Sequence, residues 1–513
     1  MNKEKRKISP EPQPEKAHSE SHLSVARSPR TGAKGMKKKI LLINPRIGDT
    51  QSLTPHLGLA VLAARLESAG ADVLTLDYSA EHTTPPLATC LQEYDPHFVG
   101  ITAVTPGAAV VEDTIRRVGE FNKRAIIAVG GPHATLYADE LEKVKHLSYI
   151  VQGEAEDKIV ELVETSVPQA APQIIICESP SIKEFPIPSF RSFYNHRQFQ
   201  VYPLLTSKGC PFNCSFCSVH KITSRVWRGR NIDDCFEEIK EAKEYLPRLR
   251  HIRVIDDEPA INKERFHRFL SLFAEKHPGY SLEIVNLRAK DITEETLKLM
   301  KRAGVFEVCF GVEHGSPAVF KEIDKGETLE EIARAADLVK KSRLFLRCCF
   351  IIGLPNDSFE RTLESIAFAK RIKADFFHWN AYIPLRGTRA AEWYRANGKI
   401  IAEERFSLSG SSGFFIPEPS VETRDFTAEE QKIAYALAVL ETNSYILTPR
   451  GLRDIIHIMI RHRIYRAALK SLARQPKYIW MQARRFHKAR LLPAYAQRYM
   501  KENLPGFLNR RSP

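Results

Sequence analysis

Cys210, Cys214 and Cys217 stand in the run Cys210-Pro-Phe-Asn-Cys214-Ser-Phe-Cys217, a CxxxCxxC spacing preceded by Gly209. Three thiols this close can bind metal, but a structural zinc site takes four protein ligands. Three thiolates on one loop suit a [4Fe-4S] cluster, which ordinarily takes four cysteines and here would keep one iron free of protein. An open iron can bind a substrate or cofactor. The alternative is three buried structural cysteines, but such thiols are usually scattered and inert.

The other six cysteines are Cys90, Cys177, Cys235, Cys309, Cys348 and Cys349, and none has ligand spacing. An odd total with one ligand-spaced group argues for a reducing, cytoplasmic setting rather than a disulfide framework. Cys348-Cys349 lies in an apolar run and reads as core.

The elements that must position the cysteine loop follow from periodicity. Over 201–390, strand patterns at 202–207, 251–256, 281–286, 306–311, 345–353 and 375–383 alternate with helical patterns at 231–246, 262–276, 293–303, 327–342 and 357–373. Six β/α units point to a partial or full β/α barrel, whose chemistry sits at the carboxyl ends of its strands. The cysteine loop follows the first strand. Asp256-Asp257-Glu258-Pro259, Arg288, Glu313, Gly353-Leu354-Pro355 and Pro384 to Thr388 follow others, and converge on one mouth if the barrel forms.

Ahead of it, 37–166 also alternates strands with helices, which implies a parallel sheet covered on both faces. Ligands of such a sheet bind beyond the carboxyl ends of the strands. That is where Pro55, Gly58, Thr105, Gly130, Gly131, Pro132, His133, Gly153 and Glu154 fall. No GxGxxG occurs, which disfavours a dinucleotide. The Pro-rich stretch 171–200 reads as a linker.

At 513 residues the chain has room for two or three domains. Its net charge of +14 belongs to the ends: 1–40 carry eleven Lys and Arg against four acids, 450–513 carry sixteen against two, and the body between is near −7. Residues 1–35 are polar and without apolar periodicity, so they read as disordered, and Met36 could be the true start. They lack the apolar core of a secretory signal, and no run approaches the roughly 18 apolar residues that span a bilayer. Residues 407–420 read as a flexible connector, and the chain beyond about 427 as helical and increasingly basic.

With a CxxxCxxC loop after the first strand of a second β/α domain, the chain resembles the radical SAM superfamily over roughly 200–395. The opening KKILLINP, the segment PHLGLAVLAARLESAG, the loop GGPHAT and the turn QGEAED, in that order, resemble the cobalamin-binding domain that precedes the barrel in the cobalamin-dependent, methyltransferase-like branch. The resemblance implies an α/β fold. A disordered tail (1–35) leads to a doubly wound, Rossmann-like and flavodoxin-like cobalamin-binding domain (36–170). A linker (171–200), a partial (β/α)6 barrel (201–395) and a mainly helical basic region (396–513) follow. One departure stands out: the DxHxxG motif whose His ligates cobalt is missing from 37–166. His56 and His133 match it in position but not in pattern, and His133 reads as a turn histidine held by hydrogen bonds sooner than as a cobalt ligand.

The resemblance implies three cofactors: the [4Fe-4S] cluster, S-adenosylmethionine (SAM) and cobalamin. Cys210, Cys214 and Cys217 would hold the cluster. Phe216, Asp256, Arg288, Glu313 and Gly353 would contact SAM. Pro55, Gly58, Thr105, Gly130, Gly131, Pro132, His133, Gly153 and Glu154 would line the cobalamin site. Arg288 could pair with the methionyl carboxylate or sit in a surface salt bridge; Asp257 could touch ligand or cap a helix. The implied activity is methylation of an unactivated carbon of a small-molecule or lipid substrate, with an electron donor such as flavodoxin or ferredoxin. Radical cyclisation or rearrangement would use the same motifs, and a non-catalytic corrinoid or iron–sulfur sensor is the rival outside catalysis. The basic C-terminal region could be a solvated face or a peripheral membrane contact; nucleic acid ranks last, since no nucleic-acid module accompanies it.

Overall fold

The computed structural model describes residues 38–443 apart from 48–51, 53, 81–83, 180, 183–184 and 402–417. The tail over 1–35, a start at Met36, most of the 407–420 connector and the basic stretch 450–513 lie outside the described residues.

The first half is a six-stranded parallel sheet of β1 (Lys39–Asn44), β2 (Asp72–Asp77), β3 (Phe98–Thr102), β4 (Ile126–Gly130), β5 (Tyr149–Gly153) and β6 (Gln173–Cys177). Its order is β2-β1-β3-β4-β5-β6. β1 is apolar on both faces, with Ile40 to Ile43 buried, as a parallel strand covered by helices on both sides must be. The order reverses beside β1, which pairs with β2 on one side and β3 on the other. A crevice therefore opens beyond the carboxyl ends of the strands.

The stretch 171–200, expected as a linker, is structured. It supplies β6 beside β5, then crosses the helix Leu57–Ser68, where Ser189 N donates to Ala60 O at 2.9 Å. It reaches the opposite edge of the sheet, where Tyr194 N donates to Thr75 O at 3.0 Å. Phe190 and Phe193 bury themselves there against Phe199 and Tyr202. The segment is thus a belt that touches both edges of the first sheet. β6 escaped periodicity because its residues are largely exposed, Ile176 at 75%.

The second half is the partial barrel expected. β7 (Val201–Leu204), β8 (His251–Val254) and β9 (Ser281–Ile284) form one parallel sheet; β10 (Glu307–Glu313), β11 (Phe345–Ile352) and β12 (Phe376–Ala381) form the next. Bridges Leu282–Val305 and Leu287–Phe310 join them. The helices Ile232–Tyr245, Lys263–Lys276, Glu294–Arg302, Leu329–Ser342 and Phe359–Ile372 each begin on an Asn, Thr or Ser whose side chain accepts an amide of the first turn. Such a cap is worth about 1 kcal/mol. The helix Ala428–Asn443 closes the last edge, with Asn443 bonding both the N–H and the C=O of Phe377.

Alternation along β10 and β11 decides what faces inward. Val308, Phe310, Val312, Leu346, Cys348 and Phe350 are buried in the core. The opposite set, Glu307, Cys309, Gly311, Arg347 and Cys349, faces the barrel interior. Cys348 is therefore core as expected, but Cys349 is not: its Sγ lies 3.8 Å from that of Cys309.

One buried ion pair fixes the helix that follows the cysteine loop. Arg230 meets Glu238 at 2.6 Å with both side chains almost fully buried, and Tyr202 OH donates to Glu238 at 3.0 Å. Removing one partner leaves a buried charge uncompensated. Glu238→Ala is expected to destabilise the protein by about 3–5 kcal/mol in denaturant melts; a loss under about 1 kcal/mol would contradict this account.

Candidate active site

The cysteine loop rises from a short antiparallel pairing of Ser207–Lys208 with Arg228–Gly229. Gly209 then turns with φ +87, and a Cβ there would stand 2.3 Å from Val226 O; this left-handed turn and close approach favour glycine. Asp257 braces the loop, accepting from Gly209 N at 2.8 Å and Thr223 Oγ1 at 3.1 Å. Ser215 N donates to Ile323 O at 2.8 Å, and Ala390 N donates to Ser215 O at 3.0 Å. Asn213 donates to Asp324 at 2.7 Å and accepts from Arg225 at 2.7 Å. Arg389 reaches both Asp324 and the Asn213 carbonyl.

Cys210, Cys214 and Cys217 are half-buried free thiols on this braced loop. Burial raises all three, Cys214 to about 12 with the Lys325 ammonium opposing. Thiols so disposed ionise when a metal supplies compensating charge, and three sulfur donors on one rigid loop fit a cluster with one open iron.

Two ionic joints fasten the first half to the barrel, the first of them at the foot of this loop. Lys208 Nζ donates to Glu154 and to Glu156, both at 2.7 Å, and Arg228 donates to Glu154 at 2.6 Å. Glu154, expected at the cobalamin site, is therefore engaged by both sides of the loop's base. In the second joint, Arg386 meets Asp139 and Glu140, both at 2.6 Å. The same guanidinium lies over the Tyr137 ring at 4.4 Å. Together the joints bring the first sheet's strand ends to the barrel mouth.

Of the other residues expected at the cobalamin site, Gly130, Gly131 and Pro132 run from β4 into the short helix Pro132–Leu136. Gly131 has φ +96, and a Cβ would meet Ala103 O at 2.9 Å. Gly58 is exposed, while Pro55 and Thr105 are buried. Gly153 is glycine for a different reason: a Cβ would strike Cys177 O of β6 at 2.2 Å. His56 is held by hydrogen bonds, whereas the expected hydrogen bonds to His133 are not found: its Nδ1 is buried without a partner among the described residues. His56 Nδ1 accepts from Leu59 N at 3.2 Å, and its Nε2 lies 3.4 Å from Thr102 Oγ1. His133 is 2% exposed and stacks on Tyr137. Burial lowers it to about 4, with Arg386 adding to the effect, so it is neutral near pH 7. The strand-end glycines and small side chains fit a corrin approached by backbone, without a histidine offered from an open surface.

At the expected SAM residues the barrel is divided. Glu313 ends β10 with φ +66, beside a register shift, and meets Lys325 at 3.3 Å. Asp256 does not face the mouth. It is 1% exposed and accepts from Thr206 N and Oγ1, both at 2.6 Å, and from Ser207 Oγ at 2.5 Å. Arg288 donates to the carbonyls of Lys325 and Gly326 and lies 3.5 Å over the Phe212 ring. It is a buried brace for the cysteine loop, where a surface salt bridge or a carboxylate clamp was expected. A Cβ on Gly353 would meet Gln431 Oε1 at 2.8 Å. Phe216 packs half-buried against the core.

Lys325 escaped the sequence reading, and Glu258 was named there only as part of a strand-end loop. Lys325 is 8% exposed, between Glu313 and Glu327. Burial works against its charge, but the two carboxylates outweigh it and raise its pKa. Its neighbours Asp324, Gly326 and Glu327 are polar or small, so nothing local marks it as buried. Glu258, in the loop after β8, is 4% exposed; burial and then Asp291 push it up to about 8, so it is largely protonated at pH 7.

Comparison with known proteins meets this geometry on both halves. The B12 binding domain family matches residues 44–163, and the radical SAM superfamily matches 204–369. The chain is a cobalamin-dependent radical SAM enzyme. Its cofactors are a [4Fe-4S] cluster, SAM and cobalamin. An uncharacterized methyltransferase of Pyrococcus horikoshii is 28% identical over 84% of this enzyme and 98% of the relative. The anaerobic magnesium-protoporphyrin IX monomethyl ester cyclase of Cereibacter sphaeroides is 26% identical over 64% of this enzyme and 58% of the relative. Bacteriochlorophyllide d C-12(1)-methyltransferase of Chlorobaculum tepidum is 25% identical over 69% and 77%. Among solved structures, the radical SAM methyltransferase TsrM of Kitasatospora setae, with tryptophan and a SAM analogue, superposes with a TM-score of 0.59 at 15% identity. That likeness covers 81% of this enzyme and 90% of TsrM. The radical enzyme OxsB gives 0.54 at 18% identity, over 74% and 57%. At these identities the structural likeness is one of fold.

Cys214→Ala is expected to remove iron from the reconstituted protein while leaving cobalamin bound, checked by iron assay and corrin absorbance; loss of both would contradict separate sites. The Glu258 carboxyl is raised in the folded state, so stability should fall as pH rises from its ordinary range, near 4.5, through about 8. Glu258→Gln should flatten that fall in melts across this window; an unchanged slope would sink the assignment.

Proposed function

We propose that this enzyme methylates an unactivated carbon of a small-molecule or lipid substrate. The carrying observation is the double ionic clamp, Glu154 with Lys208 and Arg228 and Arg386 with Asp139 and Glu140. It sets the first sheet's strand ends against the cysteine loop, so that one cleft can serve both. When bound, the cluster with SAM supplies hydrogen abstraction from carbon and cobalamin supplies a methyl group.

The chain's own residues do the rest. Cys210, Cys214 and Cys217 would hold the cluster, and Asp257, Asn213 and Arg288 would keep their loop rigid. Glu313, with Lys325 beside it, would orient SAM. Gly130 to Pro132, Gly58 and Thr105 would border the corrin. Arg253 of β8 adds a contact between the halves, donating to Thr54 at 3.0 Å.

The relatives support both readings of the chemistry. The methyltransferase of P. horikoshii matches along nearly its whole length, which favours methylation. The cyclase of C. sphaeroides supports radical cyclisation or rearrangement as the second reading. Among the described residues no helix is long and apolar enough to cross a membrane. A lipid substrate and a peripheral membrane contact remain proposals about a basic stretch outside the described residues, and the cytoplasmic location remains an expectation from cysteine usage.

The deciding experiment supplies methyl-labelled SAM and reductant to the reconstituted enzyme with extracts of cells lacking it. Label in a product, with 5′-deoxyadenosine released, is expected. A new product without label would favour cyclisation, and no 5′-deoxyadenosine under any condition would leave a sensor.

A further inference from the structure

The end of β10 is strained. Glu313 has φ +66, and the next amide, His314 N, donates back to Val312 O at 2.8 Å. That is a γ-turn centred on a residue with a β-carbon, a rare conformation that persists only where its surroundings fix it. The sheet does not fix it, because the pairing of β10 with β11 shifts register between Gly311 and Glu313. The Glu313 carboxylate lies back over Gly311, where a Cβ would collide with Oε1.

The side chain of His314 supplies what the sheet does not. It is fully buried. Its Nδ1 accepts from Ser316 N at 3.2 Å and lies 3.0 Å from Ser365 Oγ. Ser365 Oγ itself accepts from Gly315 N at 2.8 Å, so its own proton can go to Nδ1. An accepting Nδ1 leaves the ring proton on Nε2. Nε2 stands 3.1 Å from Asp357 Oδ1 and has no hydrogen bond elsewhere among the described residues. Asp357 is buried too, and it belongs to the other strand end: its Oδ2 accepts from Gly353 N, just past β11, at 2.8 Å. One carboxylate therefore reaches both strand ends.

We propose that His314 and Asp357 are a positioning pair for SAM, which holds Glu313 in its turn and sets it against Gly353. The inference rests on the reading that Glu313 contacts SAM. Neither side chain of the pair is open to a ligand, so both act from behind that contact. A carboxylate fixed before the ligand arrives spares binding the cost of ordering it, and the pair is therefore felt as affinity. A pair that merely joined two strands would change stability and leave this affinity alone.

The test measures SAM binding by calorimetry, without reductant, on the full-length protein with cluster and cobalamin. His314→Asn keeps an acceptor for Ser316 N but no longer reaches Asp357. Glu313→Gln and the double variant complete a cycle. His314→Asn should weaken SAM at least about tenfold, as loss of a partner behind a ligand contact does, with iron and corrin content unchanged. In the Glu313→Gln background it should add nothing, because both residues act through one contact. If His314→Asn binds SAM like wild type while Glu313→Gln does not, the pair is overturned and the reading of Glu313 stands. If Glu313→Gln binds like wild type, that reading fails and the pair with it. Equal losses from His314→Asn in both backgrounds would also overturn the pair. Should His314→Asn not fold, Ser365→Ala, which takes a donor from Nδ1, enters the same cycle under the same criteria.

Discussion

A buried carboxylate, Glu154, holds the two halves of this enzyme in register. It ends the β5 turn of the first sheet and lies between Lys208 and Arg228, paired residues at the foot of the cysteine loop. Such an arrangement is costly to desolvate, and it tolerates poorly the loss of one partner. That intolerance is useful. A hydrophobic seam would allow sliding, whereas a carboxylate gripped by two cations from opposite sides of one loop permits a single alignment. The foot of the cysteine loop and the strand ends of the first sheet are joined through it.

The architecture was legible because it depends on local pattern. Five of the six strands of the first sheet, and every barrel strand and intervening helix, show in apolar periodicity and capping residues. The cysteine triad showed for the same reason, since its meaning lies in spacing. What escaped depends on partners far away in sequence. Glu154 lies on a strand-end turn like a ligand contact, and nothing local reveals that Lys208 and Arg228 engage it. Asp256 follows a barrel strand as a catalytic acid would, but Thr206 and Ser207 turn it inward. Gly153 and Gly353 were singled out as ligand contacts; what a side chain there would meet is Cys177 and Gln431 of this chain. Lys325 sits in a polar run that resembles a surface turn, and its burial comes from the bulged end of β10.

The barrel interior has an unusual chemical grain. Arg253 with Glu283 and Arg347 with Glu307 form charged rungs across neighbouring strands. The thiols Cys309 and Cys349 lie above them, and Glu313 with Lys325 at the mouth. An interior so polar is no simple core. It resembles a chamber wall, where each charged side chain is satisfied by an opposite charge on the neighbouring strand.

The belt over 173–194 limits how the enzyme can be loaded. It is hydrogen-bonded to β5 at one edge of the first sheet and touches β2 at the other. For the halves to part like a clamshell, the packing of Phe190 and Phe193 against Phe199 and Tyr202 would have to break. Traffic of a cofactor as bulky as a corrin must then run through the flanks of the cleft, or occur before the belt is fastened. Assembly order, and not opening and closing, becomes the natural control over which molecules the finished enzyme contains.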